Sequence, residues 1–274
     1  NLGGIEACEK IFKGVPNVAV FDTAFHQTMP ECAAMYAIDP KFYKKYGIRK
    51  YGFHGTSHKF VTAAAAKFLG KSPAKVNLVT CHLGNGSSLA AVKNGQCVDT
   101  TMGLTPLAGL VMGTRCGDID TAAVLSIMES EKLTPAEMDT LLNKRSGLQA
   151  LSGVAGGDMR DICARAAEGD ESAELALEVW AYRTVLYIGA YNTVIGGADA
   201  IVLTGGIGEN SAEGRARIVG RLGALGISLD GKVNAKTRGA VGVISTKKSK
   251  IPVVVIPTNE EHMIARDTAR LLKD

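Results

Sequence analysis

Aromatic residues are scarce, at 5% of 274 positions, so the chain lacks the stacking platforms typical of single-strand nucleic-acid binders. Basic residues are not gathered either. Net charge is only +4, and the one dense run, Lys247-Lys248-Ser249-Lys250, lies between two β-like stretches and reads as a solvated hairpin tip. No nucleic-acid partner is expected. Six cysteines (Cys8, Cys32, Cys81, Cys97, Cys116, Cys163) occur without a C-x-x-C pair, which excludes a zinc knuckle or disulfide framework and points to reduced thiols in the cytoplasm. No apolar run approaches the ~20 residues that span a bilayer, so no membrane partner is expected. The first residues carry neither a signal-peptide pattern nor an initiator Met, and the latter points to a fragment or a processed chain.

Glycine, by contrast, is abundant at 32 residues, and the chain is 46% hydrophobic. That balance suits an α/β enzyme with tight turns and backbone-lined ligand loops. Short apolar runs at Val18–Phe21, Val76–Cys81, Ala198–Leu203 and Ile251–Ile256 are predicted as buried strands. Helices are predicted after Ser57 as N-cap, stopping at Gly70; after Asp118 or Asp120; after the Thr134-Pro135-Ala136-Glu137 capping box; from about Ser172 to Ile195; and after Thr258-Asn259. Asn94-Gly95 predicts a type I′ hairpin.

Two Gly-rich turns leave predicted strands. In His82-Leu83-Gly84-Asn85-Gly86-Ser87-Ser88, amides and hydroxyls can donate to phosphate oxygens. In Gly205-Gly206-Ile207-Gly208-Glu209-Asn210, a strand runs into a helix whose N-terminus favours anions. Neither fits G-x-G-x-x-G, and each equally suits a tight turn. Gly70-Lys71-Ser72 imitates the end of a Walker A loop, but the earlier glycine position is Ala65. His54 and His58 are four apart, yet Gly55 puts His54 ahead of the helix, which speaks against a zinc pair and for a polar anchor or anion contact. Asp22, ending a strand, is a cap, an ion-pair partner, or a metal or catalytic carboxylate. Arg115 either braces an anionic transition state or pairs with Asp118 or Asp120. Glu260 is a first-turn acid or a Mg²⁺ ligand.

Seven stretches together resemble the acetate kinase family. They are Val-Phe-Asp-Thr-Ala-Phe-His (20–26), His-Gly-Thr-Ser-His (54–58), Cys-His-Leu-Gly-Asn-Gly (81–86), Asp-Thr-Thr-Met-Gly-Leu-Thr-Pro-Leu (99–107), Gly-Thr-Arg-Cys-Gly-Asp-Ile-Asp (113–120), Thr-Gly-Gly-Ile-Gly-Glu-Asn (204–210) and Ile-Pro-Thr-Asn-Glu-Glu (256–261). The resemblance implies the ribonuclease H-like, actin-like ATPase fold of acetate and sugar kinases. It implies residues 1–24 as a remnant of an N-terminal lobe, 25–256 as a nucleotide-binding lobe, and 257–274 as a helix returning to the first lobe. It also implies ATP and ADP, Mg²⁺ (or Mn²⁺), acetate and acetyl phosphate as reactants, a homodimer, and direct in-line transfer. By matching position, Asp22, His54 and Arg115 are the catalytic set. His82, Leu83, Gly84, Asn85, Gly86, Asp158, Met159, Arg160, Gly206, Ile207, Gly208, Glu209 and Asn210 bind ATP, and Glu260 binds the metal.

The family's opening Asn-x-Gly-Ser-Ser-Ser loop and its later His-Arg-x-Val-His-Gly-Gly stretch do not occur here. Residues 1–274 by themselves are therefore expected to show little or no phosphoryl transfer. Propionate or butyrate kinase, and a silent nucleotide-binding or dimerisation fragment, stand as alternatives.

Overall fold

The computed structural model describes residues 2–273. Six strands form one mixed sheet: β1 (Leu78–Leu83), β2 (Ser87–Lys93), β3 (Gln96–Thr100), β4 (Ala200–Thr204), β5 (Gly242–Val243) and β6 (Val253–Val255), in the order β3-β2-β1-β4-β6-β5. The central strands β1, β4 and β6 run parallel, and the flanking ones are antiparallel. Every residue of β4 and β6 is buried, as expected for parallel strands covered on both faces.

The helices that matter are α1 (Gly55–Phe68), α2 (Gly147–Ser152), α3 (Met159–Ala167), α4 (Glu171–Val194), α5 (Gly205–Asn210), α6 (Ala212–Val219) and α7 (Glu260–Leu271). Strand alternation divides the core in two. Val79, Cys81, Leu83, Ile201, Leu203, Val253 and Val255 face the layer of α2, α3, α4 and α6, centred on buried Trp180. Leu78, Ala200, Val202 and Val254 face α1 through Val61, Ala65 and Ala66. On that second face the ends of β1 and β2 turn polar, with Thr80, His82 and Ser88 meeting the first turn of α1. Helix α7 lies along α1, tied by a 2.5 Å Lys59–Asp267 ion pair.

Most predicted elements are present. Asn94 and Gly95 both take positive φ, 51° and 74°, as a type I′ turn requires. Thr134 and Glu137 make the reciprocal capping box, and Asp120 caps the helix Thr121–Ser130. Asn259 caps α7, and Lys247–Lys248 form the turn between β5 and β6.

Two expectations fail. Val18–Phe21 forms no strand and pairs with none among the described residues; Val18 and Val20 are half-buried, Ala19 and Phe21 exposed. The helix after Gly52 is capped by His54, not Ser57. His54 sits in the left-handed region (φ 55°, ψ 25°), and Ser57 lies inside the first turn.

Candidate active site

The site forms where the C-terminal ends of β1, β4 and β6 meet the start of α1, the place where parallel sheets present ligand loops. Asp22 lies in a turn, not at the end of a strand, and holds the entry of α1. Its carboxylate Oδ2 accepts the His54 N–H at 2.6 Å, and its carbonyl accepts the Gly55 N–H at 2.8 Å. A Cβ on Gly55 would stand 2.2 Å from that carbonyl oxygen, so the approach requires glycine.

His54 is stacked on His82, with ring centroids 4.2 Å apart. Its Nδ1 meets Ser88 Oγ at 2.9 Å, and Ser88 in turn meets His58 Nε2 at 2.8 Å. His82 Nδ1 is held by Ser57 Oγ at 2.8 Å, which also meets Thr258 Oγ1 at 2.8 Å. His54 and Arg115 converge on the β1–β2 hairpin: a Cβ at Gly86 would lie 3.4 Å from His54 Nε2 and 3.5 Å from Arg115 Nη1. Arg115 pairs with neither Asp118 nor Asp120. Its Nη1 donates to the Pro106 carbonyl at 3.0 Å, while Asp118 accepts from Gly109 and Tyr187 and Asp120 serves as a cap. Among the described residues Arg115 has no carboxylate partner, so its charge is free to meet an anion.

The Gly-rich loops converge. Gly113 donates to the Asn85 carbonyl, and Gly205 crosses the end of β1 with only room for hydrogen facing Leu83. Beside them opens a cavity of about 810 Å³, lined by Gly84, Asn85, Asp158, Met159, Arg160, Gly206, Ile207 and Asn210 among others. That volume suits a nucleotide-sized ligand. Asp158 caps α3 and pairs with Arg160 at 2.7 Å, and the bonds from Arg160 pull its carboxyl down to about 2.

Other named residues sit elsewhere. Leu83 is in the core, and Glu209 is turned inward: its Oε1 accepts from Gly205 N–H at 2.9 Å and Thr258 N–H at 3.0 Å, clamping the ends of β4 and β6 together. Sequence patterns missed Gly156, Gly157, Ser211 and Arg238 in the cavity wall, and the Ser57–His82 and His58–Thr80 bonds around His54. A glycine pair just before Asp158 was the available signal for the first two.

Glu260 opens α7. Burial, and then the negative charge of Asp22, raise its carboxyl above the ordinary range. A half-buried carboxyl beside a second carboxylate suits a cation. Among the described residues no group of three or more His, Cys, Asp or Glu could hold a metal. A hard cation held by one or two carboxylates, with phosphate oxygens and water completing its shell, is the Mg²⁺ pattern.

Burial holds the histidines neutral. His54 is lowered to about 4 by burial, then by Arg115 and His26; His82 falls to about 3 by burial and then His54; His58 lies well below 6.5 by burial first. Folded values below the unfolded one mean that the unfolded chain binds more protons between pH 6.5 and about 4. Stability present above pH 6.5 is therefore lost as the pH falls through that window. Urea unfolding is expected to give a free energy lower by about 2 kcal/mol or more at pH 5 than at pH 7; equal values at the two pH values would contradict the assignment.

A mixed sheet with Gly-rich loops at its strand ends, an arginine without a carboxylate partner and a half-buried acid at a helix start are the features of an α/β enzyme that handles anionic ligands. Comparison with known proteins makes this specific. The acetokinase family model matches residues 1–266. Acetate kinase of Clostridium novyi (strain NT) is 56% identical over 273 residues, covering 100% of this chain and 68% of that protein. The crystal structure of Porphyromonas gingivalis acetate kinase superposes with a TM-score of 0.95 at 46% identity, covering 99% of this chain and 68% of the other. A propionate kinase from Francisella tularensis subsp. tularensis SCHU S4 superposes with a TM-score of 0.91 at 46% identity, covering 97% and 67%. The chain belongs to the acetokinase family, phosphotransferases with a carboxylate acceptor. No helix among the described residues is long and apolar enough to cross a membrane.

Proposed function

We propose that the chain carries the nucleotide side of an acetate kinase, transferring the γ-phosphoryl group of ATP directly to acetate and back. The observation that carries this reading is the convergence of His54 Nε2 and Arg115 Nη1 on Gly86, within 3.4 Å and 3.5 Å of where its Cβ would stand, beside the Gly84–Asn85 wall of the cavity. Phosphoryl transfer needs positioning and charge neutralisation more than covalent help. ATP occupies the cavity, its phosphates running along Gly84–Gly86 and the Gly206–Asn210 turn, with Asp158, Met159 and Arg160 at the nucleoside end. Arg115 and His54 meet the equatorial oxygens of the phosphoryl group in flight. Acetate is already a nucleophile, so Asp22 removes no proton; it fixes the His54 loop and orients the acceptor. Glu260 holds Mg²⁺, which when bound neutralises phosphate charge, and Mn²⁺ is an acceptable substitute. Residues 1–24 and 257–274 belong to the acetate side of the cleft and 25–256 to the nucleotide lobe. A homodimer in the cytoplasm completes the reading.

Gly206 provides the test. A Cβ there would meet nothing within 4 Å, so Gly206→Val adds bulk to the cavity wall without disturbing the fold. Calorimetry is expected to show ATP binding to the chain and at least about a ten-fold loss in Gly206→Val, with the melting temperature unchanged. Unaltered affinity would place the nucleotide elsewhere. The likeness to a propionate kinase favours propionate as the second acceptor. The ratio of kcat/KM for acetate, propionate and butyrate, measured at the protein's natural length, decides between them.

A further inference from the structure

Asp118 is close to Arg115 in sequence, yet it spends its bonds elsewhere. Its backbone N–H donates to the Gly109 carbonyl at 2.9 Å, and its Oδ1 accepts the Gly109 N–H at 2.7 Å. Both backbone groups of Gly109 are thus held by one residue. The other carboxylate oxygen, Oδ2, accepts the hydroxyl of Tyr187 on α4. Burial, and then Asp118 itself, raise that hydroxyl above its ordinary range, so Tyr187 is the donor. Asp118 is exposed, so burial does not force these bonds on it.

The bonds fix one segment against another. Gly109 is pressed onto the end of β3: a Cβ there would stand 2.7 Å from Thr101 Cβ, and its φ is 98°. Arg115 Nη1 donates to the Pro106 carbonyl at 3.0 Å. The stretches 106–109 and 115–118 therefore lie side by side, joined by Arg115 and Pro106 at one end and by Asp118 and Gly109 at the other. The remaining bonds of the Arg115 loop run to a different segment: Cys116 N–H donates to the Leu142 carbonyl at 3.0 Å, and Leu148 N–H to that of Met112 at 2.9 Å. If the 106–109 stretch slid along its neighbour, the Pro106 carbonyl would move and the guanidinium would lose its aim at Gly86.

We propose that Asp118 and Tyr187 form a positioning pair that sets the direction of the Arg115 guanidinium through the stretch from Gly109 to Pro106. Neither lines the cavity, so the pair acts on Arg115 and not on the nucleotide. Its effect on rate rests on the role proposed above for Arg115; its effect on where the guanidinium lies does not.

Kinetics and crystallography at natural length test both halves. Asp118→Ala is expected to lower kcat about ten- to a hundred-fold with ATP affinity unchanged, the scale of misplacing a reacting group by about 1 Å. Tyr187→Phe keeps the ring, removes one donor and should cost about three-fold. Asp118→Asn still offers an oxygen to Gly109 and an amide to Tyr187, and should recover most of the rate. Introduced into Arg115→Ala, Asp118→Ala should cost nothing further, whereas a general loosening of the fold would cost the same in both backgrounds. Should Asp118→Ala not fold, Tyr187→Phe in the same two backgrounds gives the reading. A full further loss in the Arg115→Ala background overturns the proposal, and so does a folded Asp118→Ala whose guanidinium still lies on the Pro106 carbonyl. A displaced guanidinium with unaltered kcat sustains the pair and refutes the role of Arg115 instead.

Discussion

Arg115→Ala is expected to lower kcat about a thousand-fold while leaving ATP affinity within a few-fold. The guanidinium has no acidic partner among the described residues; it is steadied by the Pro106 carbonyl at 3.0 Å and the Met112 sulfur at 3.5 Å. Those contacts fix its direction without neutralising it. Its charge is therefore unspent until a phosphoryl group loosens between donor and acceptor and its equatorial oxygens gain charge. The proposed ATP site lies elsewhere, in the loops around the 810 Å³ cavity, which Arg115 does not line. The loss should thus fall on kcat and not on binding. Arg115→Lys should recover little, because an ammonium cannot reproduce a planar fork fixed from one side. The split is checked by steady-state kinetics at natural length beside calorimetric ATP binding; a variant weakened mainly in affinity would contradict it.

The second large effect concerns stability. Arg215 is 1% exposed and uses all five of its N–H groups: Nε donates to Asn234 Oδ1, Nη1 to the carbonyls of Gly208 and Glu209, and Nη2 to those of Asn234 and Thr237, all between 2.7 and 3.1 Å. None of these partners is a carboxylate. The cation is accommodated by the carbonyl end of α5, where the helix dipole is negative, and it ties that helix to the segment Gly231–Lys236. Arg215→Met removes every donor and leaves buried carbonyls without partners. The expected cost is about 4 kcal/mol, the scale of breaking a buried polar network from one side. Since α5 forms one wall of the cavity, ATP affinity should fall as well. Urea unfolding measures the first effect; a change below about 1 kcal/mol would contradict it.

Sequence patterns revealed the sheet's middle and the loops it carries, because β1, β4 and β6 are rich in apolar residues and are soon followed by glycine or proline. They misread Val18–Phe21, which has a strand's composition but no neighbour to pair with. They also misread the start of α1. Ser57 is the better N-cap by residue type, but the cap is set by the Asp22 bonds to His54 and Gly55, a contact across 32 residues. Arg215 is invisible for a similar reason. On its own helix it looks like one more exposed charge beside Arg217, and only the return of residues 234–237 encloses it. Glu209 and Ser88 belong to the two Gly-rich stretches, yet their side chains turn inward to fasten the frame. Motif resemblance picked out stretches that the fold brings together; it could not divide side chains that face the cavity from those that hold the loops still.

The most direct test is a crystal structure of the protein, at natural length, with ADP, Mg²⁺, aluminium fluoride and acetate. The planar fluoride is expected beside Gly86, between His54 Nε2 and the Arg115 guanidinium, with the metal on Glu260 and the nucleoside in the cavity between Gly156 and Ile207. A nucleotide bound outside that cavity, or a fluoride that touches neither His54 nor Arg115, would contradict the account.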